Sequence, residues 1–154
     1  MANTKLGKQW EQKFKESWKK SFPDTFIYRL PDQLSRYRGA STNPCDFICF
    51  NGRLYLLEVK EHKGNTFPFS AFPQYERLLE YKDMRDVIPG VVIWFSEKDE
   101  VVFVHIKECE KMVSDGLKSI NVKMLNSDEY KVIRIPSKKK RVFLDCDFTL
   151  MKEV

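Results

Sequence analysis

Long apolar runs are missing from this 154-residue sequence. None approaches the roughly 20 consecutive apolar residues that a membrane-spanning helix requires, so we expect no membrane partner. The first 18 residues carry several charges and lack the apolar stretch of a secretory signal peptide. Together these absences predict a protein of the cytoplasm.

Cysteine and histidine are too few and too scattered for a metal-binding scaffold. Four cysteines occur without any C-x-x-C pair, and there are two histidines. This usage is typical of a reduced compartment, and no spacing suits a disulfide framework or a zinc site. The sequence also lacks a P-loop, a G-x-G-x-x-G fingerprint and a nucleophile motif, so nucleotide binding and triad hydrolysis have no support.

The length and composition favour one packed domain, which we take as residues 1–154. Domains of about 100–200 residues are common, and 42% hydrophobic residues suit a buried core. The net charge is +5, and the basic excess is concentrated in residues 1–20 and in the Lys-Lys-Lys-Arg segment 138–141. These two segments are either solvated surfaces or contacts for the phosphate backbone of a nucleic acid.

Hydrophobic periodicity and turn residues predict alternating helices and strands. A four-residue repeat of apolar side chains (Leu6, Trp10, Phe14 and Trp18) predicts a helix over 4–20. Asn51-Gly52 between the apolar segments 45–50 and 53–60 predicts a β-hairpin. We predict further strands at 25–30, 90–95, 101–106 and 130–135, and a candidate strand at 141–144. A polar segment with glycine and proline predicts a loop at 32–44. Two further helices are predicted, one at 70–86 that is capped by Ser70 and ended by Pro89-Gly90, and one at 107–116.

The order of these predicted elements is α-β-β-β-α-β-β-α-β. Helices interspersed among strands, with at least one antiparallel hairpin, are typical of a mixed central β-sheet flanked by helices. The fold class is therefore α/β or α+β.

Two carboxylates and a lysine interrupt the apolar arms of the predicted hairpin. Asp46 begins the first arm, while Glu58 and Lys60 end the second and project to one face because they are two residues apart. If the turn contains two residues, residue 46 pairs with residue 57 across the hairpin. A β-bulge would bring residue 46 nearer to residue 58. We therefore expect Asp46 and Glu58 to be neighbours.

Such a cluster has two interpretations. Charged groups are costly to bury unless they are paired or bind a metal, so the three side chains could simply form a buried salt-bridge cluster. Alternatively, two carboxylates with open water positions form a site for Mg²⁺, which lowers the pKa of bound water and neutralises a phosphodiester transition state. The lysine would then position or activate the attacking water.

The arrangement Pro44-Cys45-Asp46, then Glu58-Val59-Lys60, resembles the PD-(D/E)xK nuclease superfamily, although Cys45 separates the proline from the aspartate. The resemblance implies a restriction-endonuclease-like core and a Mg²⁺ cofactor, with Mn²⁺ as a substitute. It also implies that Asp46, Glu58 and the Val59 carbonyl bind the metal while Lys60 assists catalysis.

Flanking residues narrow the resemblance to RecU-type Holliday-junction resolvases. Gly7 and Glu11 resemble the start of the first helix of resolvase-type members, whose glutamate joins the metal site; Glu11 is the corresponding candidate. The run Lys60-Glu61-His62-Lys63, then Thr66-Phe67-Pro68-Phe69, is similar to the stretch after the catalytic lysine. The family's glutamine on the next helix corresponds to Gln74, or by alignment on Phe72 to Glu76.

The resemblance implies a substrate and an assembly. Symmetrical cutting of a four-way DNA junction needs two active sites, hence a homodimer. The short loop 31–43 replaces the family's long stalk, so the chain is similar to a compact, phage-encoded member acting in the host cytoplasm. Candidate DNA contacts are Arg36, Arg38, Lys63, Lys8 and Lys15. The alternatives are another nuclease on the same core, restriction-like or nicking, and a non-catalytic DNA-binding recombination accessory module.

Overall fold

The computed structural model describes residues 5–31 and 43–154. Its helices are α1 (Lys5–Ser21), α2 (Tyr75–Leu79) and α3 (Ile106–Ser114). Its strands are β1 (Phe26–Arg29), β2 (Phe47–Phe50), β3 (Leu54–His62), β4 (Thr66–Pro68), β5 (Val87–Phe95), β6 (Glu100–His105), β7 (Ser119–Asn121), β8 (Ile133–Arg134), β9 (Ser137–Lys140) and β10 (Phe143–Cys146). Three 3₁₀ turns cover Phe69–Ala71, Val122–Asn126 and Thr149–Glu153.

Six strands form a central sheet in the order β1-β2-β3-β5-β6-β8. The β3–β5 pair is parallel and the other neighbours are antiparallel, so the predicted mixed sheet is confirmed. Two additional two-stranded sheets pair β4 with β7 and β9 with β10. Of these four strands the sequence predicted only the candidate strand at 141–144, which overlaps β10. No helix in the described residues is both long enough and apolar enough to cross a membrane.

Helices cover the two faces of the sheet. On one face α1 buries Trp10, Phe14 and Trp18 against β2, β3 and β5, which confirms the predicted apolar stripe. On the other face α2 and α3 bury Leu78, Cys109 and Met112 against the opposite side chains of the same strands. The side chains of β3 therefore contribute alternately to two hydrophobic cores, because successive strand residues point to opposite faces of the sheet.

The helix predicted over 70–86 is wrong in extent. A 3₁₀ turn ends at Ala71, and α2 begins only at Tyr75, with Gln74 rather than Ser70 at its N-cap position. Pro73 explains the interruption, since a proline disfavours helical dihedrals in the residue before it.

Pro89 and Gly90 lie inside β5 and do not end an element, contrary to the prediction. Pairing of β5 with β6 begins only at Gly90, so Pro89 lies near the beginning of the strand, where a missing N–H is tolerated. A Cβ on Gly90 would approach the Phe103 ring and the Val104 carbonyl oxygen to 2.6 Å. Glycine is therefore required by close packing against β6.

Candidate active site

The β2–β3 hairpin places Asp46 beside Glu58. The last pair of the ladder is Phe50 with Leu54, so the loop contains three residues instead of two. This shifts the register by one from the tight turn: Phe47, the first residue of β2, pairs with Leu57, and Asp46 and Glu58 are the next residues along the two arms. The predicted adjacency of the two carboxylates is consistent with this register.

Asp46 is held by the backbone of β3. Its N–H donates to the Leu57 carbonyl at 3.1 Å, and its Oδ2 accepts the Val59 N–H at 3.0 Å. The N–H and C=O of one strand residue point to the same edge, so the Val59 carbonyl faces the same side as Asp46. The Val59 carbonyl, predicted as a metal ligand, thus lies on the edge of β3 that Asp46 contacts.

Glu58 and Lys60 project together from the end of β3. The Lys60 Nζ lies 3.2 Å from Glu58 Oε2, and Glu58 is 1% exposed whereas the Lys60 side chain is 23% exposed. Among the described residues the buried polar or charged side chains are Glu11, Ser17 and Glu58. Two of these three residues are candidates for the same site.

Burial and neighbouring charge perturb both groups. Burial, followed by repulsion from Asp46, raises the pKa of Glu58 to about 8, and attraction to Lys60 offsets only part of this. Burial alone would lower the pKa of Lys60, but Glu58, Asp46 and Glu11 outweigh it and raise that pKa. Lys60 is therefore a cation at neutral pH, and a carboxylate as buried as Glu58 favours a bound proton or a second cation.

Glu11 approaches the site from α1. Burial and then the charge of Asp46 raise the pKa of Glu11, while Arg29 and Lys60 oppose this shift. Arg29 of β1 binds the Glu11 carboxylate through two nitrogens, with Nε and Nη2 at 3.1 and 3.0 Å from Oε2. The sequence prediction missed Arg29; its signal was a lone cation in the short strand TFIYRL.

A cleft of about 320 Å³ opens next to Glu11. Its lining consists of Lys8, Glu11, Gln12, Lys15, Arg29 and Phe47. The structure thus brings Lys8 and Lys15, both predicted to contact DNA, to the edge of the cluster. Three cations around one buried carboxylate make a positive entrance suited to a phosphate group.

The donor set suits an open magnesium site. Mg²⁺ is usually bound through one or two carboxylates together with waters and substrate phosphates. Asp46, Glu58 and the Val59 carbonyl offer that number of oxygens. Within residues 5–31 and 43–154, no group of three histidine, cysteine or acidic side chains is close enough to form a metal cage. Glu11 therefore remains a predicted member of the site, with its carboxylate bound to Arg29.

The other predicted residues lie farther out. Lys63 is exposed just after β3, and Gln74 is half-buried at the start of α2 with its side chain outside the cap hydrogen bonds. Arg36 and Arg38 fall outside the described residues. The side chain of His105 accepts the Lys107 N–H at 3.1 Å and caps α3.

Comparisons with known proteins find similarity among solved structures but not among sequences. No protein-family model matches the chain, and no curated protein sequence matches it. The chain is similar in structure to Hjc, a Holliday junction resolvase from Archaeoglobus fulgidus, with 22% identity and a TM-score of 0.48. That match covers 66% of this chain and 78% of Hjc. A similarity of this size identifies neither a family nor an activity.

Proposed function

We propose that the protein is a metal-dependent, structure-selective DNA endonuclease that resolves four-way junctions by paired symmetrical phosphodiester cleavage. One observation carries the proposal: two carboxylates and a lysine, Asp46, Glu58 and Lys60, converge where β2 begins and β3 ends. Burying so much charge is costly. A divalent cation bound by the carboxylates, together with a substrate phosphate, would offset this free-energy cost.

Each residue has a role in this proposal. Asp46, Glu58 and the Val59 carbonyl would hold Mg²⁺ or Mn²⁺, which when bound would stabilise negative charge on the scissile phosphate. Lys60, held at the end of β3 by Glu58, would orient the attacking water through its ammonium group. Glu11, fixed by Arg29, supports the site from α1.

The basic cleft defines how a phosphate backbone would reach these residues. Lys8 and Lys15 line one wall, and Lys63 lies on the exposed turn after Lys60. Lysines in this arrangement supply sequence-independent contacts. The four-way junction and the homodimer come from the resemblance to resolvases, since two symmetrical cuts need two copies of the site.

A cleavage assay tests the proposal. Labelled four-way junction and matched linear duplex are incubated with the protein in Mg²⁺ or in EDTA. We expect symmetrical nicks in the junction only, and only with Mg²⁺. Equal cutting of the linear duplex would instead indicate a restriction-like or nicking enzyme, and no cutting of any substrate would contradict the enzymatic function.

A second candidate function rests on how the carboxylates are paired. Asp46 accepts a backbone N–H, Glu58 contacts Lys60, and Glu11 binds Arg29. Since every carboxylate has a partner within the chain, the cluster could stabilise a non-catalytic DNA-binding accessory module. Such a module would bind junctions equally well with Asp46→Asn and would never cleave them.

A further inference from the structure

The β9–β10 hairpin packs against α1 through its β10 strand. Its β10 strand buries Leu144 and Cys146, and the Cys146 N–H donates to Ser17 Oγ of α1 at 3.1 Å. The Phe143 ring packs 5.7 Å from the Trp94 ring, between centroids. In contrast, all four residues of β9 are exposed. The hairpin therefore has one face fixed to the core and a strand free for contact.

The exposed part of the hairpin has a local excess of positive charge. Lys139 pairs with Asp99 at 2.8 Å, which neutralises one cation. Lys138, Lys140 and Arg141 form no ion pair with any residue that the structure describes. Three unpaired cations in four consecutive residues repel one another, and a polyanionic partner would relieve this electrostatic repulsion.

A second cleft separates this hairpin from α1. Its volume is about 600 Å³, and its lining consists of Lys13, Lys139, Lys140, Arg141, Val142, Phe143 and Asp145. Four of these seven residues are cations and one is an acid. Lys13 comes from the same helix whose other flank lines the cleft next to Glu11. The helix α1 therefore lies between two basic clefts.

Helix geometry gives the separation of the two clefts. Lys8, Gln12 and Lys15 share one flank of α1, and Lys13 lies about 100–160° away around the axis. The clefts are therefore about one helix diameter apart, ~10–12 Å. This distance is close to the width of the major groove of B-DNA, about 12 Å. One duplex can thus place one of its two phosphate backbones in each cleft.

We propose that the β9–β10 hairpin and α1 bind the backbone of one duplex DNA arm, which crosses the exposed face of α1 from the hairpin to the active-site cleft. This inference rests on the proposed function, because it assigns the surface that positions the DNA. Lys138, Lys140 and Arg141 contact one strand and Lys8 and Lys15 the other. Phosphate contacts of this kind fix the register of a protein on DNA without reading its sequence.

Binding measured in EDTA tests this surface without cleavage. The variant Lys138→Gln, Lys140→Gln, Arg141→Gln is compared with the wild type on labelled duplex and four-way junction over a range of salt concentrations. Loss of three phosphate contacts lowers the salt slope by about 2.7 and the affinity near 0.15 M salt on the order of 100-fold. An unchanged slope would overturn the proposal.

A matched control removes the same charge elsewhere. Lys118, Lys123 and Lys131 are exposed, form no ion pair with the described residues, and lie on segments that pack against the α2 and α3 face of the sheet. Their triple change to glutamine should leave the salt slope unchanged. An equal loss in this control would show that net charge alone matters, which would overturn the assignment.

A charge-conserving variant separates contact from folding. The combination Lys138→Arg, Lys140→Arg, Arg141→Lys should bind as the wild type does, and weakened binding would mean that the hairpin acts through its structure. Wild-type cleavage in Mg²⁺ is measured in parallel. A wild type that needs the hairpin for binding but cuts nothing contradicts only the proposed nuclease function, whereas cutting without any need for the hairpin cations contradicts only this inference.

Discussion

The buried carboxylate of Glu58 should make the metal-free protein less stable as the pH rises. Its pKa in the folded state, about 8, lies above the ordinary value of 4.5. The contribution of Glu58 to stability is therefore complete below pH 4.5 and is lost as the pH rises through 8. For these two pKa values the loss by pH 7.5 is about 4 kcal/mol at most. Glu58→Gln removes the ionisation and should cancel this loss.

The substitution also deprives Lys60 of its carboxylate partner, so the net gain is smaller. We expect Glu58→Gln to exceed the wild type in free energy of unfolding by about 1–3 kcal/mol at pH 8, with the difference vanishing near pH 5. Urea denaturation in EDTA from pH 5 to pH 8 measures this. Glu16→Gln, at an exposed position of α1, serves as the control and should not alter the pH profile.

Metal addition completes the same experiment. Because Mg²⁺ that binds only the folded protein raises its stability, the wild type should become more stable with Mg²⁺ at pH 8. The Glu58→Gln variant should not. A wild-type profile that is flat between pH 5 and pH 8, or a variant that is less stable than the wild type at pH 8, would refute the reasoning.

Three further predictions concern the support of the site and the fold. In a double-mutant cycle of Glu11→Gln and Arg29→Gln, denaturation should give a coupling energy of about 1–3 kcal/mol, because the two side chains bind each other. Burial, followed by the charge of Lys107, lowers the pKa of His105, so its cap of α3 is intact above pH 6.5 and is lost as the pH falls through the lowered pKa. His105→Ala should cost about 1 kcal/mol at pH 8, and His105→Asn should keep the cap and abolish this pH dependence of unfolding. Gly90→Ala should lower stability by about 1–3 kcal/mol in the same assay, since its methyl group meets the Phe103 ring.

Local patterns predicted the features that position the site. The four-residue stripe of α1 and the Asn51-Gly52 turn are both set by short-range chemistry, and the structure confirms both. The adjacency of Asp46 and Glu58 followed from the turn, although the third loop residue, Arg53, corrected the register by one. Turn type alone does not fix loop length, because that depends on the twist of both arms.

Features that depend on distant packing were not predictable. The sequence indicated that Pro89 ends a helix, but Pro89 lies in β5 just before the residues that pair with β6. Where this pairing begins depends on two separate strands, so the residues around Pro89 do not reveal it. Arg29 looked like an ordinary strand cation, since its partner Glu11 is 18 residues away in the sequence. Short strands such as β4 and β7 contain three residues each, too few for a periodic signal.

The central claim is that Asp46 and Lys60 act in catalysis instead of only stabilising the hairpin. The most direct measurement is single-turnover cleavage of a labelled four-way junction in Mg²⁺ by the wild type, Asp46→Asn and Lys60→Ala, with junction affinity measured separately in EDTA. We expect each variant to lose at least ~100-fold in cleavage rate while binding the junction as the wild type does. Wild-type cleavage rates in either variant would contradict the claim.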